Sequence, residues 1–206
     1  MIVMPAFGKT AELQESGVVV LRAVLPQDMR ERLRMAAVMC FDGVIHSVTL
    51  SSRPNFLEPL KALGVDPADC RVADSWIREK RPPDFQAHLW HQDGGLGVAF
   101  PPEPGPMLPM TPLLTVWAPL DCCGVDAPGL EFVRRRLDSL LHFTELTDAE
   151  IRRRFPAEDF WAPAMEPGDV AVFLNGTLHR TYVQPGMTNA RISVEYRLTP
   201  RSESAG

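Results

Sequence analysis

His91 and Asp93 stand two residues apart in the run FQAHLWHQD. On an extended chain alternate side chains share a face, so this spacing sets an imidazole and a carboxylate side by side, with roughly 6 to 7 Å of backbone between them. Both can reach one metal ion. The pair carries little information alone, because 5 histidines and 26 acidic residues among 206 give about 0.6 such matches by chance. A third donor comes from far along the chain. His179 lies in GDVAVFLNGTLHRTYV, which reads as a strand, a turn and a second strand able to deliver an imidazole from a distance. Two histidines and one carboxylate make a facial triad, which occupies one face of an octahedron and leaves three positions open. That coordination suits Fe(II) with a bidentate co-substrate and O₂. The same donors with one open position also suit Zn²⁺, so a hydrolytic zinc site is an alternative on these residues.

Arg191 follows His179 by 12 residues, beyond the turn QPGMTNA, so the chain has room to run back beside the histidine. A guanidinium fork there binds a carboxylate through two parallel hydrogen bonds. Thr181, two residues beyond His179, shares the histidine's face and offers the same carboxylate a hydroxyl. The run ARISVEYRL alternates Arg191, Ser193, Glu195 and Arg197 with Ile192, Val194, Tyr196 and Leu198. Its polar face meets water if the strand is superficial, and lines a cavity if helices cover the apolar face. Glu195, Arg197 and the cluster Arg134–Arg136 are candidate substrate contacts.

The elements that must position these residues are read from pattern. A chain of 206 residues, 45% hydrophobic and 23% charged, fits one folded domain over 1–206. Its 20 prolines favour turns and short strands over long helices. Gly17–Leu25 reads as a buried strand, Gln27–Cys40 as an amphipathic helix and Asn55–Leu63 as a shorter helix stopped by Gly64. Beyond residue 85, short β-rich runs are separated by Gly, Pro and Asn clusters, and the proline-rich stretch Pro101–Pro112 is a loop bordering the site. The expected architecture is α+β, mainly β. It is a double-stranded β-helix, or jelly roll, with helices on one outer face, an N-terminal strand and helices over about 1–80 and a core over about 85–199.

A formal charge of −5 gives no attraction to phosphate backbones, so nucleic acid is not expected as a partner, and nothing reads as a membrane span. The triplets Arg134–Arg136 and Arg152–Arg154 read as solvated helix faces. Cys40, Cys70, Cys122 and Cys123 lack zinc-ribbon spacing and read as reduced, buried thiols. The opening MIVMPAFGKT has no basic n-region or cleavage site, which points to a cytoplasmic protein.

Four motifs in order resemble the phytanoyl-CoA dioxygenase group of 2-oxoglutarate oxygenases. They are ESGVVVLRAVLP, WHQDGG, VWAPLDCCGVDAPGLEFV, and PGDVAVFLNGTLHRT with ARISVEYRL, together spanning residues 16 to 198. The resemblance implies Fe(II), 2-oxoglutarate and O₂, a hydroxylated small-molecule substrate, and release of succinate and CO₂. It maps His91, Asp93 and His179 onto the iron ligands, Arg191 and Thr181 onto co-substrate contacts, and Trp117 onto an aromatic near the co-substrate. Asp93 is a carboxylate where related halogenases carry a small residue, which disfavours halogenation. The chain departs from the family in EFVRRRLDSLLHF and in its shorter length, so an acyl-CoA substrate is not implied. His46, His88 and His142 read as ordinary histidines. A non-catalytic jelly-roll binding protein stands as the second reading.

Overall fold

A computed structural model of the chain describes residues 11–40, 47–49, 58–82, 87–105 and 109–201. The elements run α1 (Ala11–Ser16), β1 (Val18–Leu21), α2 (Gln27–Cys40), β2 (Ser47–Thr49), β3 (Cys70–Lys80), β4 (Leu114–Pro119), β5 (Gly129–Val133), α3 (Asp148–Arg154), β6 (Phe160–Trp161), β7 (Val170–Leu174), β8 (His179–Tyr182) and β9 (Arg191–Pro200). Short 3₁₀ turns punctuate them. The strands form a six-stranded sheet in the order β1-β7-β4-β9-β3-β2 and a three-stranded sheet in the order β6-β5-β8, with every pairing antiparallel.

Alternation sorts the side chains into two cores. On the outer face of the large sheet, Val19, Val116, Val170, Val172, Val194 and Leu198 pack with Leu33 and Ala37 of α2. On the inner face, Val18, Trp117, Ala171 and Phe173 meet Leu130 and Phe132 of β5. Each fully buried side chain of this size contributes about 1.5–3 kcal/mol. Helices therefore cover one face of the large sheet, and the small sheet covers part of the other, the jelly-roll arrangement expected from the sequence. A third cluster, Trp90, Val133, Leu141, Ile151, Phe155 and Leu178, seats α3 against the small sheet.

The differences from expectation have local causes. The first strand stops at Leu21, because Ala23 takes a positive φ of 53° and its N–H donates to Asp169 Oδ1 at 2.9 Å. Glu58–Leu63 is a 3₁₀ helix, and residues 55–57 and His46 lie outside the described residues. Strand content begins well before residue 85: the large sheet takes in β1 and β2, and β3 pairs with β9 along almost its whole length. Arg134–Arg136 lies beyond the end of β5 and not on a helix, with ion pairs to Glu12, Asp159 and Asp138. Arg152–Arg154 is on α3 as expected, each arginine paired with an acidic neighbour. Cys70 and Cys123 are buried free thiols, Cys122 is exposed, and the Cys40 side chain is not described. Among the described residues no helix is long and apolar enough to cross a membrane.

Candidate metal centre

His91 and His179 come from segments 88 residues apart and are held together by the backbone. His91 N–H donates to His179 O at 3.0 Å and His179 N–H to His91 O at 3.1 Å, an antiparallel bridge that extends the small sheet past β8. Paired residues of a ladder carry their side chains on one face, and the two imidazoles lie 4.1 Å apart between ring centres. After Gln92 the chain turns into a single 3₁₀ turn, Asp93–Gly95, pinned by Gly94 N–H to Asn175 O at 2.8 Å. Here glycine is required by space: a Cβ on Gly94 would meet Asn175 O at 2.9 Å.

The three donors converge. Asp93 Oδ1 lies 3.8 Å from His91 Nε2 and 4.0 Å from His179 Nε2. Donors about 2.1 Å from an ion on one octahedral face stand about 3.0 Å apart, so these side chains need close by only about 1 Å onto a shared ion. His91 Nδ1 is 2.7 Å from Leu89 O and His179 Nδ1 is 3.1 Å from Thr177 O. A carbonyl can only accept, so each ring carries its proton on Nδ1 and turns the Nε2 lone pair toward Asp93, the tautomer a metal ligand needs. Burial, reinforced by the neighbouring His91 ring, pushes the His179 pKa down to about 3 and keeps that ring neutral. Burial also opposes ionisation of Asp93, but the adjacent His179 ring, the Arg197 guanidinium and the Thr115 hydroxyl outweigh it and hold this carboxyl down at about 2. The donor set fits a divalent ion and no other described residues form a comparable cluster.

Asp93 is locked from behind. Thr115 Oγ1 on β4 donates to Asp93 Oδ2 at 2.6 Å, and Arg197 Nη2 on β9 donates to Oδ1 at 3.1 Å. Arg197 also pairs with Asp74 at 3.2 Å and approaches Glu195 at 2.8 Å, so Glu195 and Arg197 are tied to each other and to the metal ligands. Thr115 was not picked out from sequence: a threonine inside LLTVWAPLD is indistinguishable from an ordinary strand residue. Thr115→Val keeps shape and removes the bond, and we expect metal affinity to fall about 10- to 100-fold, read by Mn(II) titration, with the fold intact.

A narrow cleft opens from the triad along the inner face of β9. It is lined by His91, His179, Trp117, Thr181 and Arg191, five of the six expected site residues, and the sixth, Asp93, lies beside the two imidazoles. The polar face of β9 lines this cavity, with Arg191 and Ser193 each 3% exposed. Arg191 Nε donates to Pro128 O at 3.0 Å, Nη1 donates to Ser193 Oγ, and the guanidinium lies 4.9 Å over the Trp117 ring. No carboxylate among the described residues is in ion-pair contact with it. Burial lowers its pKa to about 10, which leaves it charged at neutral pH. Thr181 Oγ1 accepts from His88 N–H at 3.0 Å, and the hydroxyl proton remains to be donated.

Arg78, Lys80 and His88 line the same cleft and had not been assigned to it. Arg78 and Lys80 face it because β3 sets them opposite Ser193 and Arg191. Burial and the nearby charges of Arg191 and Arg78 bring the Lys80 pKa down to about 8. His142 is structural, its ring nitrogens bound to Thr144 Oγ1 at 2.7 Å and Pro101 O at 2.8 Å. Arg134–Arg136 lines neither this cleft nor its neighbour.

No family model matches the chain, and no curated protein does. Solved structures do. EctD from S. alaskensis in its apo form superimposes with a TM-score of 0.70 at 17% identity, over 92% of this chain and 75% of that one. SnoK, a non-haem α-ketoglutarate-dependent carbocyclase from nogalamycin biosynthesis, gives 0.61 at 19% identity over 94% and 86%. The epimerase SnoN, solved with Fe³⁺, α-ketoglutarate and nogalamycin RO, gives 0.63 at 17% identity over 92% and 81%. With no sequence relative at hand, it is the backbone that makes the connection: this chain has the double-stranded β-helix fold of these three proteins.

Proposed function

We propose that the protein is an Fe(II)- and 2-oxoglutarate-dependent dioxygenase that oxidises a small-molecule substrate. One observation carries the reading: the triad opens onto a cleft that also holds Arg191, a buried guanidinium with no carboxylate of the described residues in ion-pair contact. A buried charge of that kind is costly unless an anion completes it. 2-Oxoglutarate supplies one carboxylate for the guanidinium fork and, at its other end, a keto acid for the metal. The neighbours support the assignment, since EctD has been crystallised with 2-oxoglutarate and 5-hydroxyectoine, and SnoN with α-ketoglutarate.

His91, Asp93 and His179 would hold Fe(II), which supplies the activation of O₂ that couples oxidative loss of CO₂ from 2-oxoglutarate to oxidation of a substrate C–H bond. Substrate, 2-oxoglutarate and O₂ then leave as hydroxylated product, succinate and CO₂. The chain's own groups position. Arg191 and the Thr181 hydroxyl grip the distal carboxylate, Trp117 walls the cleft beneath the guanidinium, and Arg78 and Lys80 add positive potential that draws a dianion in. Thr115 and Arg197 fix Asp93 so that the ligand face does not reorganise on binding. We place the protein in the cytoplasm, a reading that the free thiols at Cys70, Cys122 and Cys123 support.

The test is succinate formation by protein given Fe(II), 2-oxoglutarate and air. Succinate is expected to accumulate with O₂ consumption and to stop under nitrogen. A zinc hydrolase would act without O₂ or 2-oxoglutarate, and would give the Arg191 charge no task. A protein that neither forms succinate nor binds 2-oxoglutarate in the presence of metal would be a non-catalytic ligand binder.

A further inference from the structure

A second cleft, of about 230 Å³, also borders His91 and Asp93. Its walls are Leu96, Phe100, Leu140, Leu141, Phe143 and Leu146. We infer that this cleft receives an uncharged, apolar group of the substrate and presents it to the metal centre. The inference rests on the oxygenase reading and adds the chemical class of what is oxidised.

Most of the polar groups that touch the cleft are already engaged. Gln92 Nε2 donates to Ser139 O at 3.0 Å and Gly176 O at 2.9 Å, and its Oε1 accepts from Leu141 N–H at 2.8 Å. The terminal nitrogens of Arg197 are held by Asp93, Glu195 and Asp74, and Asp93 by Thr115 and Arg197; Arg197 Nε is unpartnered but fully buried. A charged or strongly polar group entering here would lose more water contacts than it regains, which is costly. An apolar group loses nothing. The contrast with the first cleft is plain: Arg78, Lys80, Arg191 and Arg197 line that one, while here Arg197 is the one arginine or lysine in the lining, and it pairs with Asp93. His91 and Arg197 line both clefts, so the two meet at the triad.

The mouth has the same character. Leu96 is 47% and Phe143 56% exposed, and both line the cleft. Large apolar side chains left open at the rim of a concave site are what an apolar ligand buries. The inner wall is firm, since the Phe100 ring stands edge-on to His142 and Phe143 at 6.0 and 6.3 Å between ring centres. The His142 ring beneath is tied at both nitrogens.

The experiment displaces the neutral fluorophore N-phenyl-1-naphthylamine from the full-length protein with 1-alkanols from butanol to octanol. Affinity is expected to rise about 3- to 4-fold per methylene until the cleft is filled. Hexanoate and hexylammonium are expected to compete at least about tenfold more weakly than hexanol. Leu96→Glu and Phe143→Glu, at exposed positions that do not endanger folding, should each weaken the fluorophore at least about tenfold. Val125→Glu, at an equally exposed position that lines neither cleft, should leave it unchanged. Hexanol resonances should broaden with Mn(II)-loaded protein and stay sharp with the Zn(II) form. Affinity that is flat with chain length, equal for charged analogues or indifferent to Leu96→Glu and Phe143→Glu would overturn the inference, as would absence of broadening with Mn(II) bound. If Mn(II) fails to bind while the chain-length dependence holds, the oxygenase reading falls and the apolar cleft stands.

Discussion

Asp93→Ala is expected to abolish metal-dependent succinate formation and to lower Mn(II) affinity by more than about a hundredfold. Disturbing a residue that merely orients a ligand costs about 10- to 100-fold, and in the proposed triad Asp93 is itself a ligand and the anionic one. Its charge does two jobs. It would offset part of the positive charge of the ion, and it accepts from the Arg197 guanidinium at 3.1 Å, tying down a cation beside the triad. Removing it leaves Thr115 Oγ1 without its acceptor and Arg197 dependent on Asp74 and Glu195, so stability should drop by about 1–3 kcal/mol. Asp93→Asn separates the two roles. The amide oxygen can still accept from Thr115, so most of the stability should return, while metal binding and turnover should not. Unfolding in denaturant gives the first quantity and Mn(II) titration the second. An Asp93→Ala protein that still binds metal and forms succinate at the parent rate would remove the basis for the proposed chemistry.

How far the sequence discloses this site depends on which way its polar residues face. The helix Gln27–Cys40 is legible because apolar residues recur at three and four, and it pairs a greasy face with the sheet as that pattern demands. The alternation in Arg191–Leu198 is equally plain, but its meaning is not: charged residues on alternate positions normally mark water, and here they mark a cavity. That ambiguity also hid β3. Asp74, Trp76, Arg78 and Lys80 alternate with Ser75, Ile77 and Glu79, yet a strand with charges on one face and Ser and Glu on the other lacks the apolar stripe that signals burial. It is half-buried because β9 lies against it, with Arg197 opposite Asp74 and Glu195 opposite Trp76. His91, Asp93 and His179 could be nominated from residue type and spacing, whereas the hydrogen bonds that make them a site come from segments the sequence does not place side by side. Leu89 O and Thr177 O orient the rings through backbone carbonyls, which leave no mark in residue identity at all. Thr115 and Arg197 reach Asp93 from β4 and β9, and only the sheet order puts those strands next to one another.

Arg191→Met should raise the KM for 2-oxoglutarate about 10- to 150-fold, the equivalent of one charge-assisted hydrogen-bond interaction worth about 1.5–3 kcal/mol. Mn(II) affinity should be unchanged, because Arg191 is not among the residues that hold Asp93 or orient the imidazoles. This separates the variant from Asp93→Ala, in which metal binding itself fails. Binding should weaken rather than vanish, since Arg78 and Lys80 still line the cleft. Arg191→Lys keeps the charge but loses the planar fork and its stacking over Trp117, so its KM should fall between the two. A second readout is thermal. A ligand that binds only the folded state stabilises it by RT ln(1 + [L]/Kd), so 2-oxoglutarate should raise the Tm of the metal-loaded parent. At the same concentration it should barely move Arg191→Met. If 2-oxoglutarate protects both proteins alike, then the buried guanidinium is not where the co-substrate ends, and its uncompensated charge must serve a different anion.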